Sequence, residues 1–272
     1  YKVVGWTWQD SPASHWYVTA AEIDEEHIAK EQLEAMVAEA QALINKVGAV
    51  NRVKNKVAFT KDNYKSNAEC QNTSYGDQFT SYSVLCDNNT ATFFHSDYSN
   101  QAPKEYHYIR MDVGESSKLK EFTLWYTTRK DGNVCAPTRL AIEVSNDADS
   151  WTKLTDISSG LPTANDKTYE TAELGNGNEY RYVRVVVYNT ILDQEANGYK
   201  YFVMSELGLY TFNFAVSKND AYTTLADEVM VDAYKAMTEA QKVLTSGTTA
   251  AEYKAAYDAL VEKHQALKDA AD

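Results

Sequence analysis

The chain has 272 residues, 44% of them hydrophobic and 24% charged, enough for one large domain or two modest ones of ordinary globular composition. A net charge of −13 argues against nucleic acid, whose phosphates need a basic face, and against anionic membranes. No apolar run reaches bilayer-spanning length, so no membrane insertion is expected.

Residues 1–20 are rich in Trp and Tyr and read as extended. Trp6, Trp8 and Trp16 suggest the tail of an upstream domain or a linker, in a chain read as a fragment of a longer protein. A helix is expected over 24–47, within a segment spanning 21–50. Asp24, Glu25 and Glu26 crowd its first turn, where the helix dipole favours them. Leu33, Met36, Val37, Ala40, Ile44 and Val47 recur at three- and four-residue steps, and Gly48 is a natural stop.

Over 51–214 the period changes to two. Runs such as Phe122–Tyr126, Leu140–Val144 and Tyr182–Val187 alternate, separated by turn chemistry at Asp131-Gly132-Asn133, Asn146-Asp147, Gly175–Asn178 and Asn197-Gly198. Many short strands without intervening helices predict a sandwich or barrel. Over 215–272 the helical period returns. Leu225, Val229, Ala233, Met237, Ala240 and Leu244 form one stripe; Thr249-Ala-Ala-Glu252 is a capping box; Tyr253, Tyr257, Leu260, His264 and Leu267 form a second stripe. This predicts a helical hairpin bundled with the helix of 21–50, His264 being read as a packing residue. Most of the twenty tyrosines and five tryptophans need only pack, although such side chains also suit wet binding surfaces.

In Asp87-Asn-Asn-Thr-Ala-Thr92 two side-chain oxygens lie five residues apart in a turn-forming run, and Glu206 offers another carboxylate on a strand-like run. Ca²⁺ selects such hard oxygen donors; a solvated Asn-rich loop is the alternative. Of the three cysteines, Cys70 and Cys86 flank one loop and either bridge or remain buried thiols, and Cys135 has no local catalytic partner. There is no HExxH, GxSxG or phosphate loop, so no catalytic set is expected in this chain.

The segments DNNTATFFHSDYS (87–99), HYIRMDVG (107–114), FTLWYTTR (122–129), IEVSNDADSW (142–151) and SELGLY (205–210) resemble, in order, the discoidin or coagulation factor 5/8 type C family, which includes the family 32 carbohydrate-binding modules. The resemblance covers roughly residues 55–212. It implies a galactose-binding-domain-like jelly-roll β-sandwich, here mainly β with flanking α, and a structural calcium held by Asp87, Thr92 and Glu206 with carbonyls of Val84, Asn89 and Ser205. Asn88 stands where the family usually has Gly; Asn tolerates a left-handed turn.

Sugar-binding members of the family use a His and an Arg at the positions of His95 and Arg129, plus a rim aromatic. Tyr199 is the first choice for that aromatic, with Tyr98 and Tyr75 behind it, and Asp97 and Asn133 add hydrogen bonds. His107 reads as a strand-packing residue. The function implied is a non-catalytic carbohydrate-binding module of a secreted or surface bacterial glycan-handling protein. It would weakly bind a galactose-type or amino-sugar terminus and sit outside the cell, on its surface or in the periplasm. The alternatives are an adhesion or protein-interaction module, or an accessory fragment of a larger glycoside hydrolase. The helices, which resemble small linker bundles, would be spacers or protein-docking surfaces on a monomeric fragment.

Overall fold

A computed structural model describes residues 2–7, 16–22, 24–67, 81–96, 107–132, 135–192 and 202–272, the first two by their backbone. The chain divides into two compact units, residues 54–213 and residues 1–53 with 214–272.

The first unit is an antiparallel β-sandwich. One sheet has the order β10 (Thr168–Glu170), β7 (Phe122–Thr127), β13 (Glu206–Lys218), β3 (Gly48–Lys56). The other has the order β4 (Tyr64–Ser66), β6 (His107–Asp112), β11 (Tyr182–Thr190), β8 (Pro137–Ser145), β9 (Thr152–Ile157). A short pair joins β5 (Phe94–His95) to β12 (Val203–Met204). Alternation drives the assembly: Ile109 and Met111, Leu124 and Tyr126, Leu140, Ile142 and Val144, and Val183, Val185 and Val187 all enter one core. Non-consecutive neighbours such as β6–β11–β8 are the crossovers of a jelly roll.

Strand β7 departs from simple alternation. Thr123, Trp125 and Thr127 on its other side are buried too. Lys56 Nζ lies 4.5 Å from the centre of the Trp125 ring, and Lys54 Nζ lies 4.1 Å from that of Tyr210. The lysine stems cover the sheet while their charges reach outward. His107 is buried at the start of β6, as a strand-packing residue should be.

In the second unit, β1 (Lys2–Thr7) pairs antiparallel with β2 (Trp16–Glu22). Helices α1 (Glu25–Val47), α2 (Asp227–Ser246) and α3 (Ala250–Ala271) each pack on the other two. Leu33, Met36, Ala40, Ile44, Met230, Ala233, Met237, Tyr253, Leu260 and Leu267 share their core. Asp24 caps α1 by accepting from the His27 amide, and Thr249 and Glu252 form the capping box of α3. His264 is only half-buried, at the margin of its stripe. Gly48 is not a left-handed stop. Its φ of 162° is extended, and the chain runs straight into β3. Glycine is required there for space, because a Cβ would stand 2.0 Å from the Ser217 carbonyl oxygen. Among the described residues no helix is long and apolar enough to cross a membrane.

Candidate functional site

The loop before β5 is a tight, self-bonded turn. Asn88 takes a left-handed φ of 58°, the conformation Asn tolerates. The Asn89 amide donates to Asp87 Oδ1 at 2.9 Å, and the Thr92 hydroxyl lies 2.7 Å from Asp87 Oδ2 and 2.8 Å from the Asn89 carbonyl. The Asn89 amide also donates to Glu206 Oε1 at 2.9 Å, across 117 residues. The register of β13 against β7, with Glu206 opposite Thr127, delivers that carboxylate to the loop. Asp87, Asn89, Thr92 and Glu206 therefore converge.

Glu206 is the electrostatic focus of this arrangement. It is 3% exposed, and its Oε2 is buried with no hydrogen-bond partner. Burial first, then the neighbouring Asp87 carboxyl, push its pKa up to about 7; the Asn89 amide and the Lys56 ammonium pull the other way. Two close carboxyls and an orphaned oxygen are a poor arrangement alone and a good one around a cation. The donors are all oxygens, which suits a hard ion. Among the described residues no three His, Cys, Asp or Glu side chains gather as a metal group, so carbonyl and hydroxyl oxygens would have to complete any shell. Ser205, next to Glu206 in the chain, and Val84 are both buried. The Ser205 hydroxyl donates to the Thr90 carbonyl at 3.0 Å. The Val84 amide donates to the Ser81 carbonyl within the Tyr82–Leu85 turn.

His95 and Arg129 are linked through intermediate residues. His95 pairs in register with Val203. Val203, Phe93 and Cys135 form a small buried cluster, and the Arg129 guanidinium stacks 4.0 Å from the centre of the Phe93 ring. His95 Nδ1 is 2.7 Å from the Ser96 carbonyl, so Nδ1 carries the proton and Nε2 is an acceptor in the neutral ring. The Arg129 carbonyl accepts from the Asp166 amide, and the neighbouring Lys130 amide donates to the Thr90 carbonyl. Thr90 thus ties the Asp87 loop to both Ser205 and the Arg129 loop.

Tyr199, Tyr98, Tyr75, Asp97, Asn133 and Cys70 lie outside the described residues. Cys86 carries a free thiol that donates to the Ser83 carbonyl at 3.5 Å; burial and then the Glu206 charge raise its pKa. Cys135 is also free, and burial pushes it up to about 11, which makes it a poor nucleophile. Three contributors escape a reading of the sequence: Phe93 beneath Arg129, the Thr90 carbonyl, and Lys56, which donates to Asn88 Oδ1 at 2.9 Å. Only Phe93, two residues before His95, carried a local signal.

The F5/8 type C domain profile matches residues 66–207. Solved structures with a similar fold include the module CpGH89CBM32-5 of Clostridium perfringens, in complex with GalNAc-beta-1,3-galactose. It is 16% identical, with 57% of this chain and 99% of that one covered and a TM-score of 0.43. The family 32 module of NanJ from C. perfringens, in complex with galactose, is 14% identical, with 58% and 99% covered and a TM-score of 0.42. The C-terminal domain of a chitobiase from Bacteroides fragilis is 16% identical, with 60% and 99% covered and a TM-score of 0.43. No curated protein matches. A jelly roll closed by Glu206 upon the Asp87 loop, and a profile match over half of its length, make this chain a member of the F5/8 type C, or discoidin, family.

Proposed function

We propose that the sandwich is a non-catalytic carbohydrate-binding module with a structural calcium. Asp87, Thr92 and Glu206 would hold the ion, with carbonyls of Asn89, Val84 and Ser205. Bound there, the ion supplies positive charge that neutralises the two carboxyls and stiffens the loop. His95 and Arg129 would read a galactose-type or amino-sugar terminus, as in sugar-binding members of the family. The imidazole offers an acceptor and the guanidinium a fixed fork of donors, which suits vicinal hydroxyls. A rim of this kind encloses little of a sugar, so affinity is modest. The natural setting of such a module is a secreted or surface bacterial protein that handles glycans.

The observation that carries this reading is the Thr90 carbonyl. It accepts from Ser205 beside the Glu206 carboxylate and from Lys130 beside Arg129, which supports a reading in which the Asp87 loop and the Arg129 loop act together. The test is calorimetric titration of galactose and N-acetylgalactosamine into the wild type, His95→Ala and Arg129→Ala. Binding by the wild type that each variant loses supports the reading. Equal binding by all three removes these residues from the site.

A further inference from the structure

The outward face of the five-stranded sheet carries a feature that neither the loop site nor the core requires. Register sets Lys65, Arg110, Arg184, Glu143 and Lys153 side by side, one from each of its strands. Four cations and one acid share this row, in a chain whose net charge is −13. Arg110 stands directly opposite Arg184, and like charges in that position are destabilising. Where a sequence breaks a local rule without evident gain, the site is a candidate for function.

Only part of that charge is neutralised. Lys153 Nζ lies 3.3 Å from Asp156 Oδ2. Glu143 Oε2 accepts from Arg184 Nε at 2.8 Å and from Nη2 at 2.5 Å. The same guanidinium is held between two rings, 4.1 Å from the centre of Trp151 and 4.8 Å from that of Tyr108. Arg110 lies 4.9 Å from the centre of the Tyr182 ring, and its Nε is buried without an acceptor. Neither Arg110 nor Lys65 has an ion pair among the described residues, and Lys65 is exposed.

We propose that this face is a second carbohydrate site, separate from the His95 loop, and that its ligand is a polyuronate. Guanidinium forks match carboxylates in shape and charge, and Glu143 on Arg184 is one such match within the row. Tyr108, Tyr182 and Trp151 offer rings on which sugar C–H faces stack. Lys65, Arg110 and Arg184 follow one another at one strand spacing, about 4.8 Å, which approximates the repeat of a polymer with one carboxylate per pyranose. The row is one residue wide. In the rows on either side Asp112 is paired with Arg181, and Asp156 with Arg139 and Lys153, so the face offers a single line of unpaired cations rather than the double line a nucleic-acid duplex needs.

The proposal does not depend on the loop site, and its test keeps the two apart. The full chain is titrated with an oligogalacturonate, its neutral methyl ester, and a single-stranded oligonucleotide of matched charge. The uronate is expected to bind, more weakly as salt rises, while the ester and the oligonucleotide do not. Arg110→Gln combined with Lys65→Gln should weaken the uronate by about tenfold without lowering the melting temperature. His95→Ala should leave uronate binding unchanged. Uronate affinity that survives the double substitution, is matched by the oligonucleotide, or vanishes with His95→Ala overturns the assignment.

Discussion

Glu206→Gln should make the calcium-free protein more stable, although it removes a proposed ligand. In the folded chain the Glu206 pKa rises from 4.5 to about 7, so ionising it in place costs about 3 kcal/mol relative to the unfolded chain. Glutamine keeps an oxygen to accept from the Asn89 amide and gains an N–H for the Asp87 carboxylate. Urea unfolding in chelator at pH 8 should therefore show the variant about 2–3 kcal/mol above the wild type. The sign with pH is fixed. As pH falls from about 7 towards 4.5, the folded wild type takes up a proton that the unfolded chain does not hold. Its stability rises and the gap closes. With calcium at a hundred to a thousand times Kd the order reverses: the wild type gains roughly 3–4 kcal/mol and the variant gains little. A variant less stable than the wild type in chelator at pH 8, or equal responses to calcium, would refute the reasoning.

Phe93→Leu removes the ring beneath Arg129 from a buried position; a stability loss of about 1–2 kcal/mol should accompany sugar affinity weakened to the level of Arg129→Ala, read by the same titration. The Arg181 guanidinium beside Asp112 holds that carboxyl below the usual range. The pair therefore contributes above the unfolded pKa of 3.8 and is lost as pH falls below it, so Asp112→Asn should show a shallower acid limb in a pH–stability curve. Thr249→Ala removes the hydroxyl that accepts from the Glu252 amide. It should cost the helical unit about 1 kcal/mol in thermal unfolding and leave sugar binding untouched.

The sandwich is legible in the sequence because its inward residues obey period two between strong turn signals, and the bundle because its stripes obey the helical period. The capping box of α3 is legible for the same reason: its atoms lie within four residues of each other. What alternation misses is long-range cover. Trp125 and Thr123 read as an outer face, and only the approach of Lys54 and Lys56 from a strand some seventy residues away buries them. The site divides the same way. The Asp87-to-Thr92 spacing is a local turn and can be read directly. Glu206 reaches it through the pairing of β13 with β7, so residues alone leave its partner open, and the family resemblance supplies it. Lys56 at Asn88 has no sequence signal, since its place depends on register.

The helical unit is assembled from both ends of the polypeptide, with residues 54–213 inserted between its parts. That topology makes the sandwich a tether. While it is folded, the link between α1 and α2 is effectively short. Once it melts, the bundle must close a flexible loop of about 160 residues, whose loop-closure entropy is on the order of 4 kcal/mol. Whatever loosens the jelly roll therefore taxes the helices as well, and an ion seated at Asp87 would protect the bundle through chain connectivity alone.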